Sequence, residues 1–163
     1  MNFNEDPLVS VRLMAYNHGT FLRQAIESVL MQRTNFPFEL VIGDDFSSDN
    51  TSEVLNNYKT DERINILKRE KGDSYWHKRQ KFGRMFNFVD IVNNCKGKYI
   101  ALLDGDDYWT DPLKLQKQVD ILEANSDYSL CFHDVIILWD DKSKQPKYFC
   151  DKNQLDRSDI FKR

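Results

Sequence analysis

Cysteine is scarce in this chain, and long apolar stretches are missing. Cys95, Cys131 and Cys150 are three in number and widely spaced, with no Cys-x-x-Cys. Neither a zinc ligand set nor a disulfide framework is indicated, and a reducing compartment fits. No apolar run approaches the ~20 residues of a membrane-spanning helix, and Met1 to Pro7, with Glu5 and Asp6, has no apolar signal core. The expectation is a soluble, cytoplasmic chain. Positive charge is not in excess: the formal net charge of -3 argues against a general nucleic-acid coat, although it leaves room for a local basic patch. Internal repeats, low-complexity tracts and linkers are not seen in the body of the chain. What is there is 163 residues, 40% of them hydrophobic, a length that suits one domain burying about 70% of its unfolded surface.

Strand and helix signals alternate. Val9, Val11, Leu13 and Ala15 alternate with Ser10, Arg12 and Met14 before Asn17-His18-Gly19 breaks the run, which predicts a first strand over Leu8 to Tyr16. Thr20 is expected to cap a helix whose Leu22, Ala25, Ile26, Val29 and Leu30 fall at helical spacing. Phe38 to Ile42 predicts a second strand, closed by Gly43-Asp44-Asp45. A helix is expected to start at Thr51 or Ser52 with Val54, Leu55 and Tyr58 inward, and Arg63 to Leu67 reads as a third strand. Lys68 to Arg84 is a basic loop leading into a helix whose Phe82, Met85, Phe86, Val89 and Val92 share a face. Lys98 to Leu103 is expected to be a buried strand. Asp111-Pro112 marks the start of a helix with Leu115, Val119 and Leu122 inward, and Tyr128 to Trp139 is the last strand signal, followed by a polar tail. The order implies an α/β fold, a three-layer α/β/α sandwich around a mostly parallel sheet. Residues 1–139 would form one domain, with 140–163 a polar C-terminal tail.

The fourth strand ends in three carboxylates, Asp104, Asp106 and Asp107, around Gly105. Acids this close repel one another, and the repulsion is relieved by a shared proton or by a hard divalent cation, magnesium, calcium or manganese. An isolated Asp-x-Asp is more often a solvated acidic turn. The context changes that weighting, because Tyr16-Asn17, Asp44-Asp45 and Asp104 to Asp107 all close strands at the sheet edge where such folds bind ligands. His18 and His133 read as turn and strand residues rather than metal ligands. Asp134 reads as a strand residue rather than a general base.

These ordered motifs resemble the inverting nucleotide-sugar glycosyltransferases of family 2, with the GT-A, Rossmann-like fold, over about Pro7 to Leu138. The carrying residues are Val9-Ser10-Val11 to Tyr16-Asn17, Ile26 to Gln32, Phe38 to Asp45 with Ser47 and Asp49, and Asp104 to Asp107. The resemblance implies that Tyr16 and Asp45 hold the nucleoside base. It also implies that Asp104 and Asp106, with Asp107 beside them, bind Mn2+ or Mg2+ and through it the donor diphosphate. An aromatic face stacks on a pyrimidine and a carboxylate accepts from a ring N–H, so a UDP-sugar is the expected donor and a glycan or lipid-linked hydroxyl the acceptor, as in polysaccharide synthesis. Peripheral attachment at the inner face of a membrane is compatible with that role. Lys81 and Arg84 are candidates for the phosphates, with a solvated basic loop as the alternative. The general base is expected downstream of Arg163, so the acceptor-facing region is expected outside this sequence. A nucleotidyltransferase would show a glycine-rich basic loop where Tyr16-Asn17-His18-Gly19 stands, and a receiver-like module would carry its acidic pair after the first strand. A nucleotide-sugar-binding module without transfer remains the alternative.

Overall fold

The computed structural model describes residues 6–139 and 143–148. The chain forms two compact units, Met1–Leu115 and Gln116–Arg163. The first contains β1 (Val9–Ala15), α1 (Leu22–Leu30), β2 (Phe38–Asp44), α2 (Thr51–Asn56), β3 (Ile64–Ile66), α3 (Ser74–Phe82), α4 (Met85–Asn93) and β4 (Tyr99–Asp104). Its four strands lie in the order β3-β2-β1-β4, with every neighbouring pair parallel. The α/β class and the flanked parallel sheet are therefore as expected. The chain leaves β1 toward β2 and β3, then returns to the other side of β1 as β4, which puts the topological switch at the carboxyl ends of β1 and β4.

Strand alternation divides the sheet faces. Val11 and Leu13 of β1 sit in register with Leu40 and Ile42 of β2 and with Ala101 and Leu103 of β4. Val11, Leu13, Leu40 and Ile42 are fully buried, as are Leu22, Ala25, Ile26 and Val29 of α1. Each of the valine, leucine and isoleucine side chains contributes about 1.5–3 kcal/mol by leaving water. The other face carries Ser10, Arg12 and Met14, and α4 lies against it at Gly43, whose carbonyl accepts from Asn87 Nδ2 at 3.1 Å. A methyl group on Gly43 would meet the Ile91 side chain at 2.6 Å, so side chains of the helix rest directly on the strand backbone there.

Several expectations are corrected. Thr20 does not cap α1: Phe21 stands at the cap position, and the N–H groups of Phe21 and Leu22 donate instead to His18 O at 2.9 and 2.8 Å. The basic segment forms two helices rather than one, because Gly83 at φ 75° ends α3. That break resets the rotational phase, so α4 buries Asn87 and Ile91, while Phe82, Met85 and Val89 are exposed. β4 is not buried on both faces. It is the edge of the described sheet, and Ile100 and Leu102 are 41% and 53% exposed.

In the second unit, helix α5 (Lys114–Ala124), which begins in the first, is the main regular element. Its approach is set by Asp111, whose Oδ1 accepts the Leu113 N–H at 2.9 Å, close to the predicted start. The expected strand over Tyr128 to Trp139 shrinks to β5 (Ile136–Ile137), paired antiparallel with β6 (Lys147–Tyr148). Two residues per strand fall well short of what a central strand needs. Most of the tail expected at 140–163, Cys150 included, lies outside the described residues. Cys95 and Cys131 are free thiols. Among the described residues, no helix is long and apolar enough to cross a membrane.

Candidate functional site

Two loops hang directly from the end of β1. The Asp45 N–H donates to Ala15 O at 2.9 Å and the Gly105 N–H to Met14 O at 2.8 Å. The turns after β2 and β4 are thereby tied to adjacent residues of the central strand. The turn after β1 is tied in as well. Asn17, at a left-handed φ of 55° that asparagine tolerates, receives the Ser48 N–H on its Oδ1 at 2.8 Å and gives its own N–H to Ser47 Oγ at 2.8 Å. Gly19 N–H donates to Asp49 Oδ2 at 2.9 Å and His18 N–H to Thr51 Oγ1 at 3.0 Å. The Thr51 side chain bonding to Asp49, ahead of the backbone N–H groups, holds the Asp49 carboxyl below its ordinary range. Asp44 serves its own turn by accepting from Ser47 N–H and from the Ser47 hydroxyl, while burial raises its carboxyl above the usual range.

Asp45 is 5% exposed and fully engaged. Tyr75 O–H donates to its Oδ1 at 2.9 Å, and Arg79 holds both oxygens, through Nε at 3.1 Å and Nη2 at 2.9 Å. Burial first, then Arg69 acting in opposition and the bond to Asp45, leave the Tyr75 hydroxyl well above its ordinary range. Tyr75 is fixed in turn by Arg69, whose guanidinium lies 3.7 Å from its ring centroid and reaches Asp44 O, Asn87 Oδ1 and Asp90 Oδ2. Phe46, at φ 62°, a strained position for a bulky side chain, packs edge-on against Trp76 with centroids 4.9 Å apart. Helix α3 therefore closes over the turn after β2.

Tyr16 is 44% exposed, and the Arg84 guanidinium lies 5.5 Å from its ring centroid. This brings one of the two predicted cations to the site. The other, Lys81, sits in the last turn of α3 with its ammonium 5.2 Å from the Phe82 ring, rather than at a helix start where amides point outward. Within this basic stretch the cation on a site carboxylate is Arg79, which the sequence does not single out. Its pairing with Asp45 spans 34 residues, and no local signal separates it from the other basic residues of that stretch.

In the acidic loop, Arg12 Nη1 lies 2.6 Å from Asp104 Oδ1. His18 Nε2 lies 3.9 Å from Asp106 Oδ2, and His18 Nδ1 is buried without a hydrogen-bond partner. Partial enclosure, then the charges of Asp106 and Asp104, push the Asp107 carboxyl above its ordinary range. Gly105 is needed for room and not for a left-handed turn, since a methyl there would lie 2.7 Å from His18 Nδ1 and 3.0 Å from Met14 O. Among the described residues, no three histidine, cysteine or acidic side chains already converge on a cation position. The acids still suit a hard cation: Asp106 and Asp107 are exposed and all-oxygen, and such ions are commonly held by one or two carboxylates together with substrate phosphates.

Comparison with known proteins bears on the family and the fold. The family description "Glycosyl transferase family 2" matches residues 10–158. An uncharacterized protein of Mycobacterium tuberculosis strain H37Rv is 36% identical over 140 residues, covering 86% of this chain and 38% of the relative. TuaG of Bacillus subtilis, named a putative teichuronic acid biosynthesis glycosyltransferase, is 34% identical over 124 residues, covering 76% of this chain and 45% of the relative. The chain thus spans less than half the length of these relatives. Among solved structures, S. aureus TarS 1-349 in complex with UDP superposes with a TM-score of 0.54 at 21% identity, over 71% of this chain and 32% of that one. The mannosyltransferase PcManGT from Pyrobaculum calidifontis, in complex with GDP-Man and Mn2+, superposes with a TM-score of 0.59 at 19% identity, over 77% and 34%. At these identities the structural likeness establishes the fold, and the fold is GT-A. With its sequence matched from residue 10 to residue 158, the chain belongs to glycosyl transferase family 2.

Proposed function

We propose that residues 1–139 form the donor-binding domain of a metal-dependent glycosyltransferase that takes a UDP-sugar and transfers its sugar, with inversion, to a hydroxyl of a glycan or lipid-linked acceptor. The observation that carries this reading is the junction of three turns at the carboxyl ends of β1, β2 and β4, with Asp45 and Gly105 bonded to neighbouring carbonyls of β1. The half-exposed Tyr16 offers a ring face for the base, and Asp45 an acceptor for its N–H if Arg79 yields part of its grip. The Arg84 guanidinium, 5.5 Å from the Tyr16 ring centroid, supports the reading that it meets phosphate oxygens. Asp106 and Asp107, with Asp104, would hold Mn2+ or Mg2+. When bound, the ion supplies electrostatic stabilisation to the negative charge that develops on the leaving diphosphate. In the reaction the bond between the anomeric carbon and the diphosphate oxygen breaks, and the acceptor oxygen bonds to the opposite face after giving up its proton to a base.

Titration calorimetry with UDP tests the proposal. Binding is expected in the presence of Mn2+, at least about tenfold weaker without it, and weakened by a similar factor in Asp106→Asn. Binding indifferent to both would overturn it.

A further inference from the structure

We infer that Arg12 is a positioning residue for the acidic loop, fixing the Asp104 carboxylate from beneath so that the turn meets the donor diphosphate in one arrangement. The inference rests on the donor-site reading above. Arg12 lies in the middle of β1, a strand paired on both sides, and is only 5% exposed. In register it faces Leu102, and Asp104, two residues on, shares that face of β4. The side chain runs forward along the sheet to bring Nη1 within 2.6 Å of Asp104 Oδ1, while its guanidinium lies 4.9 Å from the Phe88 ring centroid. Its Nε is buried with no hydrogen-bond partner.

As a contribution to stability this is a poor arrangement. Arg12 is buried while Asp104 is half exposed, so desolvating the guanidinium costs stability that a partly solvated pairing returns only in part. The orphaned Nε adds a further cost. The arrangement does, however, fix the first acid of the turn. Asp104 accepts the Asp107 N–H through its backbone carbonyl at 3.1 Å, so anchoring its side chain sets where the following acids start. The Asp104 side chain is still 44% exposed, so it is anchored without being withdrawn from the crevice. A cation below the turn also offsets one of three clustered negative charges, which favours a dianionic ligand there.

The test compares UDP with uridine in saturating Mn2+, using calorimetry for the first and ligand-observed NMR for the second. Uridine lacks the diphosphate and reports the base end alone. Arg12→Met is expected to weaken UDP about tenfold and uridine less than twofold, and Arg12→Lys to bind UDP within about threefold of the parent. If Arg12 acts through Asp104, the double variant Arg12→Met with Asp104→Asn binds UDP no more weakly than the weaker single variant. Should Arg12→Met not fold, Arg12→Gln is read in the same way. Unchanged UDP binding, equal weakening of UDP and uridine, or additive losses in the double variant would each overturn the inference. Parent protein that binds no UDP in Mn2+ removes the donor-site reading itself, and the inference with it.

Discussion

Asp45 and Asp104 each carry an arginine, yet the two carboxylates are held in different ways. Asp45 is buried, with both oxygens taken by Arg79, a further bond from Tyr75, and Tyr75 itself fixed by Arg69. Asp104 is half exposed and has one charged partner, Arg12, while its neighbours Asp106 and Asp107 face solvent. The first end is braced by a network whose loss leaves buried groups unpaired. The second is a strained grouping of like charges that a cation would relieve. The two turns therefore differ in stiffness: the one after β2 is locked by its partners, and the one after β4 keeps two acids free to meet an ion or ligand.

The contrast can be broken at several points. The largest effect on stability is expected for Asp45→Ala, which strands the buried Tyr75 hydroxyl and the Arg79 guanidinium. A loss of about 2–3 kcal/mol should appear as a lower urea midpoint with unchanged slope. Asp106→Asn is the counterpart at the other end, and its stability should stay within about 0.5 kcal/mol of the parent because the residue is exposed, even as metal-dependent UDP binding falls. Gly105→Ala comes next, at about 1–2 kcal/mol, since its methyl presses on His18 Nδ1 and on the Met14 carbonyl. The smallest effect, and one of opposite sign, belongs to Asp107→Asn. Because the Asp107 carboxyl titrates above its ordinary range in the folded protein, the folded state takes up its proton more readily than the unfolded chain. The aspartate therefore destabilises the metal-free protein at neutral pH, and that penalty disappears as pH falls through the carboxylate range. Replacing it with the neutral amide should raise the neutral-pH urea midpoint by an amount worth a few tenths of a kcal/mol, given its exposure, and the gain should vanish near pH 3.

The half of the fold that was legible in the sequence is the half governed by short-range periodicity. The alternation over Val9 to Ala15 and the helical spacing of Leu22 to Val29 are local patterns, and both elements formed within a residue or two of expectation. The junction of acids and Tyr16 could also be expected, because the position of a strand's end follows from where the apolar run stops. The α3–α4 region was not legible in the same way. One glycine at positive φ sets the rotational phase of the helix after it, so the expected shared face of Phe82, Met85, Phe86, Val89 and Val92 breaks up: Phe82, Met85 and Val89 are exposed, and Asn87 and Ile91 are the buried residues of α4. The partners of Asp45 and Asp104 were missed for a different reason. Arg79 and Arg12 lie 34 and 92 positions away in sequence, and Arg12 looks like any polar residue in an alternating strand. The exposure of Ile100 and Leu102 depends on β4 being an edge of the described sheet, which its own apolar composition does not reveal.

The bonds from Asp45 to Ala15 and from Gly105 to Met14 have one further consequence. Successive carbonyls of a strand point toward opposite neighbours, so residues 14 and 15 act as a two-notch gauge: one notch hangs the turn after β4, the other the turn after β2. The spacing of the two turns is then set by peptide geometry, with Cα atoms about 3.8 Å apart along the chain, and not by loop sequence. Loops can diverge freely around such a gauge. A single-residue insertion within β1 cannot be tolerated in the same way, because it would exchange the notches and turn Arg12 to the opposite face of the sheet.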